Sequence, residues 1–522
     1  MTTPLVALTK PDVPWSRPDQ SLIVGKDILE LLSSSMYIDP MALYREYVQN
    51  AADSIDLAKA ADANGYQGAV EIKIDANERA VLIRDDGAGL SEDDFVHRLT
   101  ALGGSRKRGT GARGFRGVGR LAGLAFAREL FFRSRQRGER TVHELRWSAR
   151  DVREMLQSSE PRDLHAIVRD SVHTREISGH GFPARFFEVE LKGVVRHRDD
   201  RLLNLDHVFN YLAQVAPVPF HPEFSFAEEI TSSLHQHGIA VGTIDIEVAG
   251  MGKVYRPHRN AIPLGNSGTT TSTQLAIIPV PGRENGVAAV TWVIHSDYRG
   301  AIPSTSLVDG WRIRVGNIQV GSNDLLTPMF PEARFNSWCV AETHVLDPRL
   351  LPNGRRDHFE QNAYYADLIN NLAPLARDIA QRCRASSIHR NLVRHIESGI
   401  SSCDQRLNSL KRRALVDGSG VKVAEQLDRD LSRVQRLTMR PGIDADQQKI
   451  YQQQIKRLGQ RLSRTATAAI GRTALAAFTP TQQTILSEVL QSIYATDPDP
   501  ERSQLLVDRI LKRVARALNR RR

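Results

Sequence analysis

Three interruptions of the apolar pattern between residues 45 and 119 limit what this chain can become. The first is Arg45-Glu46-x-x-x-Asn50-Ala51-x-Asp53. Apolar residues recur at helical spacing over 39–61, Asp39 suits the N-cap, and Pro40 suits the first helical position. On that helix Glu46, Asn50 and Asp53 stand at i, i+4 and i+7 and share one face. A carboxylate turned to the interior costs several kcal/mol unless it is paired or ligated. The spacing taken alone is equally satisfied by a solvated face.

The second interruption ends a strand pair. Val70–Ile74 alternates, Asn77-Glu78 makes a turn, and the apolar run Ala80–Ile83 leads into Asp85-Asp86-Gly87-Ala88-Gly89. An acid at a strand end, followed by two glycines, lets a flat ligand approach the backbone while the carboxylate accepts from a ring amine. A tight turn accounts for the same residues taken alone. Ser91 then caps a second helix carrying Phe95, Leu99 and Leu102. The third interruption, Gly103 to Gly123, holds eight glycines and five arginines and contains Gly114-Phe115-Arg116-Gly117-Val118-Gly119. Consecutive N–H groups at the start of the apolar helical stretch that follows suit phosphate. The run also imitates a dinucleotide fingerprint, but it follows no strand of a βαβ unit, and no G-x-x-x-x-G-K-[ST] loop occurs.

Further strands are expected at 129–134, 142–147 and 184–191, which predicts an α+β layer with helices on one face of a largely antiparallel sheet. A second region begins near Leu203, with a helix around 205–215, strands at 242–248, 287–294 and 312–319, and helices near 363–384. Residues 265–274 are small and polar and read as a loop. From about 390 the pattern is helical. Pro441-Gly442 interrupts it, and a second long helix from Asp444 to about Leu462 predicts an antiparallel hairpin or coiled coil. At 522 residues the chain exceeds one hydrophobic core, and the expected divisions are 1–200, 201–390 and 391–522.

In this order the three motifs resemble the GHKL ATPases, the group of gyrase, heat shock protein 90, histidine kinases and MutL. The first is most similar to the heat shock protein 90 chaperones, and the resemblance is strong over roughly 20–195. It implies a Bergerat-type ATP-binding α/β sandwich, then an α/β middle (transducer) domain, then an α-helical C-terminal region. It also implies roles. Glu46 would be the general base for the attacking water, and Asn50 would ligate Mg²⁺ through its amide oxygen. Asp85 would accept from the adenine amino group, with Gly87 and Gly89 admitting the base and Asp53 supporting the pocket. Gly114, Gly117, Val118 and Gly119 would face the ATP phosphates, Lys107 would reach them, and residues 103–119 would form a lid. The family usually has a Gly-Thr pair near the last strand of this domain, with the threonine close to adenine. The corresponding stretch is taken to be Gly179-His180-Gly181-Phe182-Pro183-Ala184, which has no threonine. Farther on, Leu350-Leu351-Pro352-Asn353-Gly354-Arg355-Arg356-Asp357 resembles the middle-domain loop of heat shock protein 90, and this maps Arg356 onto the arginine that reaches the γ-phosphate. Arg355 replaces a serine there, which leaves the choice between the two arginines open.

The function implied is Mg²⁺-dependent ATP hydrolysis that drives lid closure and clamping of a homodimer on a protein client. The alternative is a MutL- or MORC-like ATPase associated with nucleic acid, in repair or anti-phage defence. A histidine kinase fits poorly, because such kinases lack the glutamate where Glu46 stands. The formal charge of +10 bears on the partner. Residues 391–522 hold about 24 Lys/Arg against about 13 Asp/Glu, so their excess of about +11 leaves residues 1–390 near −1. A basic C-terminal tail favours nucleic acid by counterion release, though a solvated helical face or an acidic protein explains the same charge. Three cysteines make no disulfide framework, and no histidine spacing suggests a metal site. With no secretory pattern and no run of 18 apolar residues, a cytoplasmic chain without membrane contact is expected.

Overall fold

The computed structural model describes residues 39–61, 66–101, 119–160, 162–196, 199–264, 268–284, 286–413, 420–475 and 478–496, with a few positions between 506 and 516. Contacts divide the chain into two compact units, Met1–Gln381 and Arg382–Arg522. Among the described residues the first unit holds an eight-stranded and a six-stranded sheet, and the second is helical.

Among the described residues the first element is helix α1 (Ala42–Ala61), whose start is held by the Asp39 carboxylate accepting from Met41 N–H at 3.1 Å. Strands β1 (Ala69–Asp75) and β2 (Ala80–Asp85) form the expected hairpin. Helix α2 (Glu92–Thr100) is capped by Ser91, whose side chain accepts from the Asp94 N–H. After the short helix α3 (Gly123–Phe126) come β3 (Glu129–Arg135), β4 (Thr141–Ser148), helices α4 (Ala149–Gln157) and α5 (Leu164–Ser171), β5 (Val172–Ser178) and β6 (Phe186–Lys192). The sheet runs β5-β4-β3-β6-β2-β1-β7-β8. Its two last strands, β7 (Asp245–Val248) and β8 (Gly252–Lys253), come from the segment that the sequence reading gives to the second region. All neighbours in it are antiparallel except β1 and β7.

Alternation along these strands separates two faces. Val70, Ile72, Val81, Ile83, Leu130, Phe132, Leu145, Trp147, Val189 and Leu191 pack with Tyr44, Tyr47, Val48, Ala51 and Ile55 of α1 into one core. The opposite face carries ion pairs: Arg133 binds Glu144, Glu188 and Glu190 at 2.7 Å each, and Arg84 binds Glu188 at 2.5 Å. Among the described residues, the helices that pack on this sheet do so on its apolar face.

Helix α6 (Leu205–Val215) joins the two sheets. Val208, Leu212 and Ala213 belong to the first core, while its C-terminal carbonyls at Gln214 and Val215 accept from Arg314 of the second sheet at 2.6 and 3.5 Å. Helix α7 (Ala227–Gln236) follows, and its Ile230 and Leu234 pack with Val290, Trp292 and Val340 of that sheet, which runs β13-β12-β14-β11-β10-β9 with β14 spanning Val340–Val345. Within it Glu342, fully buried, is bound by Arg256 at 2.6 Å and Arg314 at 2.7 Å. The two guanidinium groups hold its carboxyl well below the usual range, which keeps the buried charge compensated.

Two sequence expectations are corrected in this region. The supposed loop at 265–274 is largely strand, since Thr269–Pro281 forms β10 and pairs with β9 (Ala261–Pro263) and β11 (Val287–Ser296). Its threonines are β-branched and suit a pleated surface, which outweighs their polarity. The single strand expected at 312–319 is a hairpin, β12 (Gly310–Val315) and β13 (Ile318–Val320). Gly316 at φ +58° and Asn317 at φ +65° both adopt left-handed backbone, the signature of a two-residue hairpin turn.

The second unit's helices begin with α8 (Ala363–Arg413), which starts in the first unit and extends well past the helix expected near 363–384. It is followed by α9 (Gly420–Thr438), α10 (Ala445–Leu475) and α11 (Pro480–Thr496). Leu392, Ile396, Cys403 and Leu407 of α8 meet Leu427, Leu431 and Val434 of α9 and Tyr451, Ile455, Leu458 and Leu462 of α10. The three-four spacing on each helix is that of a coiled coil, so the expected pair is a three-helix arrangement. Among the described residues no helix is long and apolar enough to cross a membrane.

Candidate functional site

A cavity of about 140 Å³ lies between α1, α2 and strands β2, β3 and β6. Ile83, Leu99, Phe132, Phe187 and Val189 make its apolar walls, and α1 contributes Tyr47, Asn50, Ser54 and Leu57. These four stand at i, i+3, i+7 and i+10, one stripe of the helix. The expected stripe of Glu46, Asn50 and Asp53 lies beside it. Only Asn50 of those three lines the cavity, while Asp53 is buried next to it.

Asp85 ends β2 inside this cavity at 4% exposure. Its Oδ1 accepts from the Gly87 N–H at 3.0 Å, and the Ser54 side chain also hydrogen-bonds to it. Burial still prevails and pushes its carboxyl from the ordinary 3.8 up to about 7. Asp86 has a different task. Its carboxylate accepts from Tyr66 and from the Ala69 N–H at 2.7 Å, and its carbonyl accepts from Arg185 at 3.1 Å. The first acid of the pair faces the cavity and the second pins the turn. Gly87 and Gly89 serve close approach: a Cβ on Gly87 would stand 2.3 Å from Ser54 Oγ, and Gly89 sits at φ +70° with its missing Cβ 2.5 Å from the Arg135 carbonyl.

Glu46 stands one turn before Asn50 at 12% exposure, 3.5 Å from the Arg45 guanidinium. It faces Gly119, where a Cβ would meet Glu46 Oε2 at 2.3 Å. Just beyond, the Tyr47 hydroxyl donates to the Arg120 carbonyl at 3.1 Å and accepts from the Gly123 N–H at 3.0 Å, tying the start of α3 to α1.

Among the lining residues that sequence reasoning missed, four bear on the chemistry of the cavity. Arg98 and Arg120 bring two cations to it, and Ser54 and Phe187 contact or face Asp85. Burial pushes the Arg120 guanidinium down to about 10, so an anion placed there would relieve a desolvated charge. Its position directly after Gly119 in the glycine run was the available signal. Phe187 corrects the assignment of 179–184 as the substitute for the Gly-Thr pair. The β2–β6 register places Phe187 opposite Asp85, whereas residues 179–184 do not line the cavity. Lys107, Gly114, Gly117 and Val118 lie outside the described residues.

The arginine loop comes to the same side of α1. Residues 351–360 form a tight loop, with Pro352 bridged to Phe359 and the Asn353 carbonyl accepting from the Arg356 N–H at 3.1 Å. Arg356 is buried at 6% and adopts φ +55°, and Arg355 is exposed. The Arg355 carbonyl accepts from Arg45 Nη2 at 2.7 Å, so the guanidinium beside Glu46 also holds this loop.

Residues 44–177 match the family model described as histidine kinase-, DNA gyrase B-, and HSP90-like ATPase. The chain is also similar to proteins called chaperone protein HtpG. It is 27% identical over 175 residues to that of Rickettsia akari, covering 29% of this chain and 27% of the relative. To that of Rickettsia rickettsii it is 29% identical over 142 residues, covering 23% and 22%. To that of Streptomyces coelicolor it is 27% identical over 149 residues, covering 24% and 23%. The matches thus span about a quarter of the length of these relatives. With the mixed α+β sheet, the Asp85 cavity and the helix above it in place, residues 44–177 are a GHKL-type ATPase domain, and the chain carrying it is distantly similar to the HtpG chaperones.

Proposed function

We propose that this chain binds ATP with the adenine amino group on Asp85 and hydrolyses it with Glu46 as general base. The observation that carries this reading is a buried carboxylate at a strand end, in an apolar cavity lined on one side by Asn50, with Glu46 one turn away on the same helix. The donor set fits Mg²⁺ arriving with the nucleotide. Among the described residues no group of three His, Cys, Asp or Glu side chains is placed to hold a metal, and a cation bound mainly by phosphates and water needs only an oxygen such as that of Asn50. When bound, the ion would neutralise phosphate charge. Arg98 and Arg120 lie where they would add to that neutralisation.

Arg356 completes the reading as the residue that reaches the γ-phosphate, supported by the hydrogen bond that holds its loop to Arg45 beside Glu46. Replacing Arg356 by alanine is expected to leave ADP affinity unchanged and lower hydrolysis by about 10²–10³-fold. Titration calorimetry and a phosphate-release assay test it; unchanged hydrolysis would remove Arg356 from the site, and an Arg355→Ala variant would then be assayed in its place. Closure of residues 103–119 over the nucleotide, homodimer clamping and a protein client belong to the same reading and rest on the similarity to heat shock protein 90 and HtpG.

A further inference from the structure

The second unit carries a groove that the ATPase reading does not use. It lies between α8 and α9, encloses about 770 Å³, and is lined by Arg433, Arg436 and Arg440 from one side and His395, Ser398 and Ser402 from the other. Its base is set by Gly399, where a Cβ would stand 2.5 Å from Val434 Cγ2, so the two helices approach closely and their polar flanks stand up as walls. The three arginines are exposed and extend over roughly 10 Å of helix axis.

Arg406 of α8 pairs with Asp430 of α9 at 2.5 Å. Asp430, the one carboxylate lining the groove, is thereby already engaged. Among the described residues no carboxylate lies within ion-pair distance of Arg433, Arg436 or Arg440. Attraction to the C-terminal end of α9 accounts for cations in its last turn. It does not account for the imidazole and two hydroxyls that face them from α8.

We infer that this groove binds the phosphate backbone of a nucleic-acid duplex, without reading its sequence. Spaced guanidinium groups with hydroxyl and imidazole partners are the usual contacts to successive phosphate oxygens. Among the described residues no Phe, Tyr or Trp lines the groove, so it lacks the large rings on which unpaired bases stack. The inference goes beyond the ATPase reading and stands whether or not ATP is hydrolysed.

The test is a salt titration of the full-length chain on a short DNA duplex, comparing wild type with Arg433→Gln/Arg436→Gln/Arg440→Gln. Three phosphate contacts contribute a slope of about 2.7 in log affinity against log salt, or roughly 40-fold between 50 and 200 mM. The triple variant is expected to lose that part of the slope while keeping its helical circular dichroism, since all three side chains are exposed. The double variant Lys456→Gln/Arg457→Gln, at exposed positions of α10 away from the groove, is expected to keep it. An unchanged slope in the triple variant, an equal loss in the double variant, or no duplex binding at 50 mM salt would overturn the inference. Poly-glutamate bound as tightly as the duplex, with the same loss in the triple variant, would assign the groove to an acidic protein instead.

Discussion

Replacing Asp85 by asparagine is expected to weaken ADP binding by on the order of 10²-fold without unfolding the protein. A hydrogen bond to a charged acceptor contributes about 1.5–3 kcal/mol, and here the acceptor sits in a cavity walled in part by Ile83, Leu99, Phe132, Phe187 and Val189. The same change should not destabilise the free protein, because the carboxylate is already unfavourable where it stands. Burial raises its carboxyl to about 7, so the folded chain holds a proton there that the unfolded chain releases near 3.8. The contribution of this group to stability is therefore full below about pH 4 and is lost as pH rises through 7. The asparagine variant lacks that pH dependence. ADP affinity of the wild type should in turn fall as pH drops below 7, where Asp85 protonates, more steeply than that of the variant. Calorimetric titrations at pH 6 and pH 8, with thermal melts at the same values, read both effects. A variant that binds ADP as well as the wild type would displace the base from Asp85.

Glu46→Gln is expected to separate binding from chemistry. Glutamine keeps the size of the side chain beside Gly119 and removes only the ability to take a proton, so ADP and ATP affinities should stay within about twofold. Hydrolysis should fall by about 10²–10⁴-fold, the usual contribution of a positioned general base. Glu46 is largely buried, one turn from Asn50 and 3.5 Å from the Arg45 guanidinium. Lost affinity in this variant would instead make Glu46 a binding residue.

Much of the candidate site was legible because it is local. Asp85 and its glycines end a strand whose hairpin is written in six alternating residues, and Glu46 and Asn50 are one helical turn apart. What escaped were positions set by pairing across the sheet. Phe187 faces Asp85 only because β6 pairs antiparallel with β2 in one register, and a shift of one residue would have turned it away. The residues just after β5 contain the glycines expected of the family motif, which drew the assignment to 179–184. Arg98 was hidden for a similar reason, since a cation on an amphipathic helix reads as solvated until the neighbouring cavity is known. In the middle region, polarity misled at Thr269–Thr273, where β-branching decides. The helical end was legible as heptads, but Ala363–Arg413, Gly420–Thr438 and Ala445–Leu475 are three packed helices where two were expected.

Phosphate release from ATP by the full-length chain, measured with Mg²⁺ and with a chelator in parallel with Glu46→Gln, decides whether this cavity is a hydrolytic site. The expected result is steady release by the wild type that disappears with the chelator and with Glu46→Gln, while that variant still binds nucleotide. Release by the variant equal to that of the wild type, or none by either above a protein-free control, would contradict it.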